Sequence, residues 1–373
     1  MKIGFDAKRA FSNYTGLGNY ARDTIRILSH YAPNNNYVLF TPNKNNNIRT
    51  SFIHGKENIL VKTPETLINK FFTKFWRTKN IVNDLHKNDI HIYHGLSNEL
   101  PIGIEKTSIK TVVTIHDLIF IRHPHLFNTI DRKIYYKKFK HACTVANKII
   151  AVSKQTKKDI VKYFNISPNK ITVAYQGCNQ VFQSKIPELQ KQLVIKKHKI
   201  PKDYLLYVGT IEERKNLLTI LKTIQELPKQ KLVIIGDGKT YKIKCLQFIK
   251  KHKLSNRVVF LSKLSLEDMS AIYQAAKIMI YPSIFEGFGI PILEALFSKT
   301  PVITTNGGCF VEAGGENSKY IDPLSINDMK QAIIEIESSA ETERKMKEEG
   351  FKYAQKFTDD KIAKKLIEIY NNL

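Results

Sequence analysis

The chain has 373 residues, 42% hydrophobic, 25% charged and 10% aromatic. This composition excludes a mainly disordered chain, a collagen-like repeat and a small disulfide scaffold, and the length suits about two domains. Lys and Arg number 59 against 34 Asp and Glu, a net charge of +25, and residues 1–183 hold 28 basic and 11 acidic side chains, +17 of that total. Such a field suits an anionic partner. No helix-turn-helix, RNP or zinc-finger signature and no arginine stripe accompanies the charge, so nucleic acid is a weaker reading than an acidic membrane face or a phosphorylated acceptor.

Short β-rich runs alternate with longer helical ones, the pattern of parallel α/β sheets. The first half predicts strands at Lys2–Phe5, Tyr37–Phe40, Ile90–Tyr93, Thr111–Ile115, Lys148–Val152 and Ile171–Ala174, with helices at Asn19–Tyr31, Leu67–Lys87, Asp131–Ala146 and Lys154–Tyr163. The helix at 67–87 mixes Phe71, Phe72, Phe75 and Trp76 with Lys70, Lys74, Arg77 and Lys79. It either packs its aromatics into the core or lies on an anionic membrane surface. A polar stretch from Gln176 to about Asp203 breaks the alternation, which restarts at Tyr204–Val208. Strands at Lys231–Ile235, Val258–Leu261, Ile278–Tyr281, Pro301–Thr304 and Tyr320–Ile321 follow. The expectation is two doubly wound, Rossmann-like domains with ligands beyond the carboxyl ends of the strands, in the cleft between them.

Cysteines at 143, 178, 245 and 309 have no CxxC spacing and read as thiols in a reducing compartment. No apolar run reaches the ~20 residues that span a bilayer. The N-terminus enters a strand at once, so no signal peptide is read and a cytoplasmic protein is expected.

The most informative segment is Ser283–Leu296, which comes after the strand Ile278–Tyr281. Gly287 and Gly289 let backbone N–H groups approach a ligand, and Pro291 suits the first turn of a helix. A glycine loop opening a helix favours phosphate, whereas Glu286 and Glu294 are suited to accept hydrogen bonds from sugar and ribose hydroxyls. After the restarting strand comes Gly209-Thr210-Ile211-Glu212-Glu213-Arg214-Lys215-Asn216, where Arg214 and Lys215 offer a fork and a point charge to a diphosphate. In the first half, Gly16-Leu17-Gly18 opens a helix without a full dinucleotide fingerprint, and His116 ends a strand, either as a structural histidine or as a partner for a substrate hydroxyl or proton. There is no HExxH, Asp-x-Asp or paired Cys/His set to indicate a metal, and Gly236-Asp237-Gly238-Lys239-Thr240 lacks the P-loop spacing.

These residues resemble the retaining glycosyltransferases of family 4, which have the two-domain B-type fold. The likeness is carried by EGFGIPILEA with Glu286 and Glu294 in a Glu-x7-Glu pattern, and by GTIEERKNL at 209–217. IHDL at 115–118, TGLGNY at 15–20, AVSKQTKKDI at 151–160 and Tyr320-Ile321-Asp322-Pro323 support it. The resemblance implies an acceptor domain of residues 1–183 plus a C-terminal helix from about 357 to 373, and a donor domain of residues 184–356. It implies catalytic roles for Arg214, Lys215, Glu286 and His116. Donor contacts would come from Gly209, Leu264, Gly287, Phe288, Gly289, Ile290 and Glu294 as well, with Gly16, Leu17 and Gly18 near a phosphate or the acceptor. Val311-Glu312-Ala313-Gly314-Gly315 departs from the family's usual string, which weakens a site role for Glu312. The expected reaction is metal- and cofactor-independent, retaining transfer of a mannosyl or glucosyl group from GDP-mannose or a UDP-hexose. The acceptor would be a glycan or lipid-diphosphate-linked glycan in bacterial surface polysaccharide synthesis, and peripheral contact with an anionic membrane is a further expectation. The alternatives are a nucleotide-sugar epimerase or hydrolase, or a basic membrane- or nucleic-acid-binding protein.

Overall fold

The computed structural model describes residues 1–44 and 48–373. The chain forms two compact units, Met1–Gly177 with Phe357–Leu373, and Cys178–Lys356. The boundary precedes the expected one by six residues because the segment from Cys178 onward packs with the second unit: Ser270 donates to Val181 O (2.9 Å) and Phe182 packs edge-on against Tyr273.

In the first unit, strands β1 (Lys2–Asp6), β2 (Asn36–Phe40), β3 (Ile59–Lys62), β4 (Ile92–Gly95), β5 (Lys110–Ile115), β6 (Lys148–Ala151) and β7 (Ile171–Val173) form a parallel sheet in the order β3-β2-β1-β4-β5-β6-β7. The order reverses between β1 and β4. Helices α1 (Gly16–Tyr31), α2 (Thr129–Val145) and α3 (Lys154–Phe164) come after strand ends. Ser153 caps α3 by accepting from Thr156 N–H, and Asn128 caps α2 by accepting from Asp131 N–H. The C-terminal helix Asp359–Asn371 buries Ile362, Leu366 and Ile369 in the core shared with Ile25 and Leu28 of α1, and Arg26 pairs with Asp359 at 2.6 Å. That apolar spacing is one helix face.

The expected continuous helix at 67–87 is broken into Leu67–Phe71, Thr73–Phe75, a π turn at Trp76–Asn80 and Ile81–Lys87. Phe72 leaves helical geometry (φ −106°, ψ 57°), and the wider π turn accompanies two buried contacts. Trp76 sits fully buried with its indole N–H on Asp84 Oδ2 (2.6 Å), and Arg77 forks onto Asp6 at the end of β1. The core-facing reading therefore holds for Trp76 alone. Phe71, Phe72 and Phe75 are exposed.

In the second unit, β8 (Tyr204–Val208), β9 (Lys231–Ile235), β10 (Val258–Leu261), β11 (Ile278–Tyr281), β12 (Val302–Thr305) and β13 (Lys319–Ile321) form a parallel sheet in the order β10-β9-β8-β11-β12-β13, reversing between β8 and β11. Helices α4 (Glu188–Lys197), α5 (Leu217–Glu226), α6 (Thr240–Lys251), α7 (Leu266–Ala275) and α8 (Ile290–Phe297) lie among these strands. The loops leaving β8 and β9 pack backbone on backbone: a Cβ on Gly236 would stand 1.9 Å from Gly209 O. Gly236→Ala must part the two loops, a cost of roughly 2–3 kcal/mol. The expected fall in melting temperature is about 4–12 °C, and differential scanning calorimetry of the variant checks it. All four cysteines are buried and none is in a disulfide among the described residues.

Candidate functional site

In an open parallel sheet, the point where strand order reverses leaves a crevice at the carboxyl ends. In the second unit that point lies between β8 and β11, and the two loops there carry the charged residues singled out in the sequence. After β8 a turn at Glu213–Lys215 ends at Asn216 in left-handed geometry (φ 57°), whose amide donates to Pro323 O. The Ile284 N–H donates to Arg214 O (2.9 Å) and the Arg214 guanidinium donates to Phe285 O (2.6 Å), so the β8 and β11 loops are stitched together by main-chain carbonyls.

Within this clamp, Arg214 reaches Glu286 Oε1 at 2.7 Å and Glu212 at 2.5 Å, and Lys215 Nζ lies 2.5 Å from the same Glu286 oxygen. Tyr281 OH donates to that oxygen at 3.0 Å, and Lys215 lies over the Tyr281 ring. Burial alone raises the Glu286 pKa, but Lys215 and Arg214 more than reverse this and hold it down at about 2. Burial draws Lys215 below the ordinary lysine range, with Glu286 opposing. Two cations thus share the ionised Glu286 carboxylate in a buried position, and Glu212 on Arg214 brings the four charges to zero. Glu212, the most exposed of the four, is the carboxylate that an entering anion would displace from Arg214.

Glu294 is on the second turn of α8, buried, and accepts from Tyr273 OH at 2.7 Å. The helix starts from Gly289, at φ +128°, with Pro291 in its first turn, so the N–H groups of the Phe288-Gly289-Ile290 stretch stand at its positive end. Cys309 Sγ donates to Glu286 O. Gly209 follows β8, beside the Lys215 side chain. Leu264 is half-buried just before the Ser265 cap of α7, on the loop after β10. A cavity of about 470 Å³ opens between the β8 and β9 loops, lined by Thr210, Glu212, Asp237, Gly238, Lys239 and Tyr241. Its size falls within the range of small-molecule pockets. Sequence reasoning missed Tyr281 and Tyr273; both close apolar strand or helix runs, and nothing local marks a hydroxyl aimed at a carboxylate.

In the first unit, His116 comes just after β5 and is buried. Its Nε2 lies 2.9 Å from Leu96 O and its Nδ1 3.1 Å from the Gln176 amide nitrogen. A carbonyl accepts only, so Nε2 carries the proton and Nδ1 accepts. Burial lowers its pKa to about 4, against the Leu96 carbonyl, which raises it. Neighbouring His94, between Thr114 Oγ1 (2.8 Å) and Tyr370 OH (2.7 Å), is lowered to about 3 by burial and then by His116. Gly16-Leu17-Gly18 does open α1, but Gly18 serves packing: its N–H goes to Thr15 O and Asn13 Oδ1, and a Cβ there would lie 1.9 Å from Asn13 O. A buried carboxylate–guanidinium cluster that no sequence pattern joins stands at this unit's own reversal point, where Arg77 bonds Asp6 at 2.7 Å and Glu99 at 2.9 Å.

A family described as "Glycosyltransferase Family 4" matches residues 15–180, and one described as "Glycosyl transferases group 1" matches residues 190–353. The chain is 25% identical over 353 residues, 90% of either protein, to the O-antigen chain mannosyltransferase B of Escherichia coli. It is 30% identical over 227 residues, 60% of either protein, to the O-antigen chain mannosyltransferase RfbU of Salmonella typhimurium. Among solved structures it resembles Anabaena HepE, crystallised with UDP-glucose, with a TM-score of 0.80 at 15% identity over the full length of both. Each half of the chain therefore carries the sequence signature of one family and a sheet of the kind that goes with it, and the chain belongs to the family 4 glycosyltransferases with the two-domain B-type fold.

Proposed function

We propose that the protein transfers a mannosyl group from GDP-mannose, with retention, to a glycan or lipid-linked glycan during surface polysaccharide assembly. The observation that carries this reading is the pairing of Arg214 and Lys215 with Glu286 at the strand-order reversal of the second unit. The names of the two mannosyltransferase relatives support the sugar. The bound UDP-glucose of HepE favours a second reading, a UDP-hexose donor.

In the proposed reaction the bond between the sugar and the diphosphate breaks while the acceptor hydroxyl attacks the same face and passes its proton to the departing diphosphate oxygen. Negative charge then grows on the leaving diphosphate. Arg214 would fork onto two of its oxygens, Lys215 would add a point charge, and the N–H groups opening α8 would meet the remaining charge. These groups would supply the neutralisation that a divalent ion provides elsewhere. Glu286, already ionised and fixed by two cations, would accept hydrogen bonds from the sugar hydroxyls, and Glu294 from the ribose. His116, neutral and held in one tautomer, would offer Nδ1 as an acceptor to a hydroxyl that takes the place of Gln176. Leu264 would rest against the base.

A thermal-shift panel of UDP, GDP, ADP and TDP tests the reading, because a ligand that binds only the folded state stabilises it by about 2.7 kcal/mol at a hundredfold excess over Kd. GDP is expected to raise the melting temperature by roughly 5–10 °C. A response to UDP alone would transfer the assignment to a UDP-hexose, and no response to any of the four would end it. Incubation of the donor without acceptor separates transfer from epimerisation or hydrolysis.

A further inference from the structure

The broken segment between β3 and β4 leaves large apolar side chains uncovered. Leu67, Ile68, Phe71, Phe72 and Phe75 are 73, 66, 82, 65 and 47% exposed, while adjacent Trp76 is fully buried. Five such residues within nine positions form the kind of apolar patch that marks an interaction surface. Ile102, also exposed, is tied to this segment by its N–H on Thr78 O (2.8 Å).

Within the run itself the charges have one sign, with carboxylates (Glu65, Glu105 and Asp131) only in the flanking segments. Lys70, Lys74 and Lys79 are exposed in the same run, and no carboxylate occurs between Thr66 and Asn83. Arg77 is withdrawn onto Asp6 and Glu99, and Glu99 also binds Lys138 of α2 at 3.3 Å. This relay holds α2 beside the segment. One and two turns before Lys138 on the same helical stripe stand Ile134 and Ile130, both exposed, with exposed Lys133 and Lys137 among them. Two elements joined through one carboxylate thus present projecting apolar side chains set among lysines.

We propose that this face docks the protein on an anionic lipid bilayer, with the phenylalanines at the acyl boundary and the lysines against headgroup phosphates. Amphipathic surfaces bind membranes by this combination of apolar burial and attraction to anionic lipid. A second copy of the chain is the poorer occupant, because the face is basic, the chain carries +25, and like charges would meet. The side chains project outward, which suits a fluid medium. No helix among the described residues is long and apolar enough to cross a membrane. Docking does not depend on the proposed transfer reaction. If that reaction holds, the anchored face lies on the unit whose β1 ends at Asp6, where a lipid-linked acceptor would be within reach.

Co-sedimentation of the full chain with phosphatidylcholine vesicles, with and without phosphatidylglycerol, tests this. Binding to the anionic vesicles is expected to exceed binding to neutral ones by tenfold or more and to weaken with salt. The variant Phe71→Ser/Phe72→Ser/Phe75→Ser should lose at least tenfold. Lys70→Gln/Lys74→Gln/Lys79→Gln should lose about fivefold per lysine. The single tryptophan, buried Trp76, reports by its fluorescence that the variants are folded. Nucleotide thermal shifts should be unaltered in both, which separates failure here from failure of the donor assignment. Equal binding to neutral vesicles, no binding, or wild-type binding by the phenylalanine variant overturns the proposal. So does a concentration-dependent dimer that the phenylalanine variant dissolves, since it assigns the face to a second copy.

Discussion

Arg214→Ala is expected to lower kcat by about 10²–10³-fold, the loss typical of removing one preorganised group that meets developing negative charge, while the protein stays folded. The fold survives because one of the two links between the β8 and β11 loops, Ile284 N–H to the residue 214 carbonyl, does not need the side chain, and because Lys215 continues to neutralise Glu286. What disappears is a guanidinium fixed by Glu286, Glu212 and Phe285 O in one orientation. Arg214→Lys keeps a charge and loses the fork, so its rate should fall between the two. Initial rates with saturating donor, beside circular dichroism and melting curves, give the comparison. A folded Arg214→Ala protein with near-wild-type turnover would remove Arg214 from the chemistry.

The strands of the second unit were legible almost to the residue. Tyr204–Val208, Lys231–Ile235, Val258–Leu261 and Ile278–Tyr281 stand where the apolar runs predicted them, since parallel strands covered on both faces read as unbroken apolar segments. β3 was not legible: it is a four-residue edge strand with only partial burial. Nor was α4, which lies inside the stretch read as turn-rich. It buries only Val194 along its length, and it is held to α7 by the ion pair of Lys197 with Asp268 and by a hydrogen bond between the following His198 and the same carboxylate. The site divides in the same way. Arg214, Lys215 and Glu286 declared themselves by residue type and by position after a strand. The contact of Lys215 with Tyr281, and that of the Gln176 amide with His116, span 66 and 60 positions of chain, which no local pattern encodes.

The two buried histidines make the first unit acid-labile in a window set by their pKa directions. In the unfolded chain a histidine takes up its proton near pH 6.5, whereas native His116 does so only at about 4 and native His94 at about 3. The unfolded state therefore binds more protons once pH falls below 6.5, and native stability drops from there until the native pKa is reached. Each histidine costs about 1.4 kcal/mol per pH unit within that window, so going from pH 7 to pH 5 removes roughly 4 kcal/mol from the pair. Asp23, pushed up to about 6 by burial, works the other way: it takes a proton in the native state first, which returns roughly 1–1.5 kcal/mol at pH 5. The expected net loss is about 2–3 kcal/mol, read as the difference between urea unfolding midpoints at pH 7 and pH 5. In His94→Gln/His116→Gln the difference should vanish or reverse sign, whatever the absolute stability of the variant. An unchanged pH difference in that variant would mean that the imidazoles are not held neutral, and with it the proposed role of His116 Nδ1 as a hydrogen-bond acceptor would fall.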